Sequence, residues 1–329
     1  MILGRALGAL IAAGAGLPSA AAQEETGGSN YVIVDPDLGR LRGDRAWRDP
    51  GIFVPPACAY DRSAGTVDED LRRMRAGGQR KMALVVWHMH HANGAECAGF
   101  TVASNGGRLP ERVLRNLATL LERAAADGYD EVQVRFAPMG GNSPDRWKNW
   151  DEAKFAENWS VVRSTVGRLH QGKSPRLVFD LGVELAGRTC QSCPDYVTRM
   201  WRNYVAEFGP GGSYGFSVAA APGRVARLVQ ALRAGGPLPD EIALDVYRDA
   251  GKAVARAAAE AKAAGIAEPR FLIQETYYGE PGTVRDMLGA AERSGARIRA
   301  VMQWPVTPGA NRHISVPRSY GYSYGRPQR

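Results

Sequence analysis

The sequence predicts an α/β fold, a (β/α)8 TIM barrel, on three observations. Eight short apolar runs are bounded by turn residues, helix-like segments separate most of them, and 329 residues leave room for eight β/α units in one domain. Strand–helix alternation favours parallel βαβ connections. An open doubly wound sheet competes, but the glycine-rich phosphate loop usual for it is missing. With 44% hydrophobic and 23% charged residues, the chain is not of the disordered class. Beyond the N-terminus no apolar run approaches the roughly 20 residues needed to span a bilayer.

Residues 1–22 read as a secretory signal peptide: Arg5 supplies the charge, 6–17 are apolar, and Ala20, Ala21 and Ala22 precede Gln23. This implies a periplasmic or secreted protein, in a compartment where cysteines pair. Residues 23–45 read as a lead-in segment, 46–317 as the barrel domain, and 318–329, rich in Tyr, Gly and Arg, as a flexible tail. Strands are expected at 51–54, 81–88, 131–136, 176–181, 214–219, 241–246, 270–275 and 300–304. Helices are expected at 110–127, 150–169, 195–208, 223–234, 250–264 and 283–294. The first of these helices carries Pro110 near N1 and stops before Gly128.

Function in such a barrel sits where strands end, at the C-terminal face. Those ends carry His88 and His90, Arg135, Asp180 and Glu184, Asp245 and Tyr247, Glu275 and Tyr277, and Trp304. Residues two apart on a strand share a face, so Asp180 with Glu184 and Asp245 with Tyr247 are expected to point together. Burying this many polar groups is costly unless they pair with one another or with a ligand. An Arg135–Asp180 salt-bridge layer is the structural alternative for Asp180 and Asp245. Two carboxylates across a barrel mouth suit general acid catalysis combined with a nucleophile, the nucleophile kept ionised by a cation such as Arg135.

In the order of its strand ends, with Glu184 after strand four, Tyr247 after strand six, Glu275 on strand seven and Trp304 on strand eight, the chain resembles the (β/α)8 glycoside hydrolases of clan A. The resemblance implies that Glu184 is the acid/base, Glu275 the nucleophile, Trp304 the floor of a sugar subsite and Tyr247 a hydrogen-bond donor to the nucleophile. Where the clan usually has Asn before the acid/base, this chain has Val183, which favours a rival reading as a carbohydrate-binding barrel without catalysis.

Aromatic side chains pack on the C–H faces of sugars. Trp147 and Asn142, in a long segment after strand three, are expected to wall the cleft and bind substrate with His88, His90, Arg135, Asp245, Tyr247, Tyr277 and Trp304. Trp150 and Trp159 fall in a helical pattern and read as core. His88 and His90 also fit a metal-dependent hydrolase, but strands five and six lack the further histidines such a site needs, so no metal and no cofactor is expected.

Cys190 and Cys193 have the spacing of a thiol oxidoreductase motif, a third functional reading. The rest of the chain does not fit the small fold that houses that motif. Structural disulfides are expected instead, Cys58–Cys97 from loops after neighbouring strands and Cys190–Cys193 within one loop. Asn158 begins a glycosylation sequon inside a helical pattern and is given no weight. A formal charge of +8 allows an anionic carbohydrate, although an Arg-rich solvated surface is the preferred explanation. The expected partner is a poly- or oligosaccharide, with no nucleic acid and no stable membrane insertion, and the protein is expected to be a monomer.

Overall fold

The computed structural model describes residues 26–35, 52–170 and 176–304. Eight parallel strands form the barrel: β1 (Thr26–Asn30), β4 (Lys81–Met89), β7 (Glu131–Pro138), β8 (Arg176–Asp180), β9 (Ser217–Ala219), β10 (Ile242–Asp245), β11 (Arg270–Glu275) and β12 (Arg297–Gln303). Their order is β9-β10-β11-β12-β1-β4-β7-β8. The ring closes where Phe179 bridges Ser213 in parallel and the Leu181 N–H reaches the Gly215 carbonyl at 2.7 Å.

Seven helices pack outside among the described residues: α1 (Pro56–Ala76), α2 (Glu111–Ala126), α3 (Glu152–Leu169), α4 (Cys193–Phe208), α5 (Arg224–Gly235), α6 (Ala250–Ala263) and α7 (Pro281–Arg293). Their apolar stripes cover the outward side chains of the strands, such as Leu84, Val134, Phe179 and Ile273. Inside the ring lies a second apolar layer: Ala83, Val178, Tyr214, Ala243, Leu272, Ala300 and Met302. At the N-terminal ends of the strands Arg299 binds the carboxylates of Glu131 at 2.8 Å and Glu241 at 2.6 Å.

The first barrel strand differs from the expectation. It is β1, inside the segment read as a lead-in, and it pairs with β12 and β4. The run read as strand one contains instead β3 (Ile52–Val54), which forms an antiparallel pair with β2 (Ile33–Asp35) outside the ring. The reason is local: β1 reads Thr-Gly-Gly-Ser-Asn and offers no apolar residue to a periodicity test. Gly28 is needed there, because a Cβ would stand 2.4 Å from the Lys81 carbonyl oxygen and 2.8 Å from the Met302 sulfur. Helix α1 was likewise not expected; it opens with Pro56 at N1 and is kinked at Ser63, whose φ of −130° breaks the helical pattern. The segments proposed as signal peptide and tail, 1–22 and 318–329, lie outside the described residues.

Two further short strands, β5 (Cys97–Ala98) and β6 (Thr101–Ala103), form a hairpin against the end of β4. Cys97 in this hairpin is bonded to Cys58 in α1, and Cys190 is bonded to Cys193, as expected.

Candidate active site

Arg135, on β7, organises the mouth. Its side chain is wholly buried, and its guanidinium donates to Asp180 Oδ2 at 3.1 Å, Asn30 Oδ1 at 2.7 Å, Glu275 Oε1 at 2.6 Å and Ser217 Oγ at 3.1 Å. These partners come from β8, β1, β11 and β9, so one side chain ties four strands at the level where they end. Charge-assisted bonds of this kind are short and strong in a water-poor site. The other carboxylate oxygen of Glu275 accepts the Tyr247 hydroxyl at 2.7 Å. Both oxygens of Glu275 are thus held by donors, and the side chain keeps 13% of its surface open.

Glu184 reaches the same mouth by another route. It lies beyond the end of β8, in a turn, with φ of 52°, a backbone region that non-glycine residues seldom adopt. The alternation that was expected to align it with Asp180 therefore does not apply. Its N–H donates to Ser217 Oγ at 3.2 Å, and its carbonyl accepts from Arg188 at 2.8 Å. Arg188 in turn pairs with Asp145 at 2.6 Å and stands 3.8 Å from the Glu184 carboxylate. Burial and, next, the charge of Glu275 push the Glu184 carboxyl above its ordinary pKa, with Arg188, Arg135 and Arg224 opposing. One carboxyl inclined to keep its proton thus faces another surrounded by donors.

The aromatic residues divide. Trp304 is half-buried and meets Trp87 edge-on at 6.2 Å, and Trp87 meets Phe100 at 5.8 Å. Tyr277 packs edge-on against Tyr247 at 5.0 Å. Of these rings, Tyr247 touches Glu275 directly and Tyr277 packs behind it.

Of the residues expected to bind substrate, three are placed elsewhere, and Arg135, Asp245 and Tyr277 lie at the mouth but are buried. Trp147 is buried among Trp150 and Tyr196, and its indole N–H is spent on the Gly141 carbonyl. Asn142 is 2% exposed; its oxygen accepts the His90 N–H and its amide donates to Ser104 and Asn158, which leaves nothing to offer a sugar. His88 points outward from β4 against Phe136, wholly buried, and burial lowers its pKa to about 3. Asp245 is at the mouth but has no exposed side-chain surface. His90 remains exposed, 3.8 Å from Glu157. Asn158 is buried, so the sequon there is closed in the folded chain.

Three site residues were not singled out from sequence: Asn30, Ser217 and Arg188. Asn30 lay in an unrecognised strand. Ser217 sat inside an expected strand but looks unremarkable beside Val218. Arg188 lies four residues past Glu184, and that i,i+4 spacing was the available signal. Cys190 and Cys193 sit where α4 begins in a barrel, which is not the fold of a thioredoxin-like oxidoreductase.

The sequence matches no protein-family model and no curated protein at a significant level. Its fold is similar to that of a family 5 xyloglucanase from Paenibacillus pabuli, with a TM-score of 0.54 and 11% identity, covering 92% of this chain and 96% of that one. A GH5_18 protein from Streptomyces cattleya in complex with Manβ1-4GlcNAc gives 0.53 and 15% identity, over 82% of this chain and 78% of that one. Exo-β-1,4-mannosidase Op5Man5 from Opitutaceae bacterium strain TAV5 gives 0.52 and 16% identity over 84% of this chain. This chain spans 56% of the length of that mannosidase. What the likeness establishes at such identities is the architecture: this chain is a (β/α)8 TIM barrel.

Proposed function

We propose that the protein is a secreted retaining glycoside hydrolase acting on a poly- or oligosaccharide, with Glu184 as acid/base and Glu275 as nucleophile. The observation that carries this reading is the pairing of unlike carboxyls at the mouth. Glu275 is held by Arg135 and Tyr247, while Glu184 is raised by burial and by the charge of Glu275. In the first step a Glu275 oxygen attacks the anomeric carbon as the bond to the leaving oxygen breaks, and Glu184 gives that oxygen its proton. In the second step Glu184 takes a proton from water, which attacks the anomeric carbon and releases Glu275. Trp304 and Trp87 offer ring faces and edges to the sugar.

Two proteins similar in fold are named as an exo-β-1,4-mannosidase and a xyloglucanase, which makes β-1,4-mannosides and xyloglucan the first substrates to assay. Secretion is supported by the two disulfides. Among the described residues no helix is long and apolar enough to cross a membrane.

The test is hydrolysis of a polysaccharide panel with product anomers followed by NMR. Retention of configuration is expected, and Glu275→Gln should abolish turnover while the fold survives, because an amide forms no glycosyl ester. Glu184→Ala should slow substrates with poor leaving groups far more than activated ones, and azide should restore part of the loss. Inverted products would overturn the retaining assignment. Binding without any product would replace the enzyme with a carbohydrate-binding barrel.

A further inference from the structure

The carboxyl of Asp245, at the end of β10, has no exposed surface, and its nearest cation is Arg135 Nη2 at 3.6 Å. That separation is too long for a hydrogen bond. Neither carboxyl oxygen of Asp245 has a hydrogen-bond partner among the described residues. The same guanidinium spends its hydrogen bonds on Asp180 and Glu275, and on the neutral Asn30 and Ser217. One positive charge therefore faces three carboxyls in a compartment from which water is largely excluded. Were all three ionised, two buried negative charges would be left uncompensated, which a protein interior does not sustain.

The geometry indicates which carboxyl gives way. Glu275 accepts from two donors, Arg135 and Tyr247. Asp180 has Arg135 and the backbone N–H groups of Gly182 and Ser217, each at 3.1 Å. Asp245 has none. The titratable groups that face it are Asp180, Glu184 and Glu275, the phenols of Tyr214 and Tyr247, and Arg135, which is the one cation of the set.

We propose that Asp245 is a positioning residue that works as a neutral carboxylic acid, leaving the Arg135 guanidinium undivided between Asp180 and the nucleophile Glu275. The second half of that statement rests on the reading of Glu275 given above. Burial, followed by the charge of Glu275, holds the Asp245 carboxyl well above the usual carboxylate range, in agreement. An ionised Asp245 would draw Arg135 away from Glu275 and repel the Glu275 charge directly, weakening the contact that orients the nucleophile.

The experiment compares the intact wild-type protein with Asp245→Asn, whose amide matches a neutral acid in shape. At neutral pH the wild-type minus variant infrared difference spectrum should contain the carbonyl band of a protonated carboxyl. This arm needs no substrate, so it stands even if no glycosidase activity is found, in which case only the role assigned to Glu275 fails. In kinetics, Asp245→Asn should lower kcat/KM by no more than about fivefold, whereas Asp180→Asn should lower it about a hundredfold or more. Both limbs of the kcat/KM profile against pH should stay in place in Asp245→Asn. The proposal is overturned if the difference spectrum shows only the loss of a carboxylate band. It is equally overturned if both limbs move to lower pH, the signature of removing a negative charge beside Glu184 and Glu275. A wild-type protein with no protonated-carboxyl band at neutral pH overturns it as well, should the variant fail to fold.

Discussion

Ser217 Oγ accepts the backbone N–H of Glu184 at 3.2 Å, and through that one hydroxyl the turn carrying Glu184 is tied to the Arg135 guanidinium, 3.1 Å from the same oxygen. The two carboxyls assigned to catalysis are thus held in one hydrogen-bonded unit although they are 91 residues apart in the sequence.

Ser217→Ala breaks that unit. It leaves the Glu184 N–H and one Arg135 N–H without their acceptor, a loss of about 1–3 kcal/mol for each buried group left unpaired. Glu184 sits at positive φ, so its turn has little reason to hold without the contact. The expected result is a fall in kcat of about tenfold or more with KM little changed, and a lower melting temperature; Ser217→Thr should recover part of both.

The pH dependence has a definite sign. The Glu184 pKa is raised by burial and by Glu275, so the carboxyl keeps its proton beyond the usual range and acid catalysis is lost as pH rises through the raised value. Arg224 opposes that rise. Arg224→Ala should therefore move the alkaline limb of kcat/KM to higher pH. A limb that moved to lower pH would contradict the assignment of Glu184 as the acid.

The two disulfides should differ in weight. Cys58 and Cys97 are 39 residues apart, Cys190 and Cys193 only 3. Chain-entropy reasoning gives about 4 kcal/mol for the long loop and about 2 for the short one. Cys190→Ser/Cys193→Ser should stay folded with measurable activity, while Cys58→Ser/Cys97→Ser should melt well below it. Mass spectrometry of the non-reduced protein checks the pairing: a Cys58–Cys190 bridge or four free thiols would refute it.

Gly28→Ala tests the first strand. Its methyl would meet the Lys81 carbonyl and the Met302 sulfur well inside contact distance. Met302 can turn aside but the Lys81 backbone cannot, so a loss of about 1–3 kcal/mol or outright misfolding is expected in thermal melts.

Most of the architecture was legible because buried parallel strands are continuous apolar runs and the helices between them are amphipathic. Residues 81–88 and 270–275 announce themselves in this way. β1 does not: its interior positions are a glycine that must be small and an asparagine that must bond Arg135, so the needs of packing and of the site removed the apolar signal. For the candidate site, strand-end positions were enough to place Arg135, Tyr247, Glu275 and Trp304 at the mouth. Trp147 and Asn142 were misplaced because a loop leaves its polar and aromatic residues free to fold inward on one another, which no spacing rule reveals. His88 was misplaced by parity: it shares the outward face of Leu84 and Val86 on β4.

The seven-residue apolar layer inside the ring has a consequence for the order of events. Every member is at most 1% exposed, so among the described residues the barrel axis offers water and protons no passage from the far end. On the proposed reading, whatever reaches or leaves the carboxyls of Glu184 and Glu275 would use the opening that admits the sugar. A chain filling that opening would shut out bulk solvent and leave the Glu184 proton no destination but the leaving oxygen. The water that ends the cycle would then arrive after the departing fragment has vacated its place, so the plugged tube that supports the mouth would also time hydrolysis.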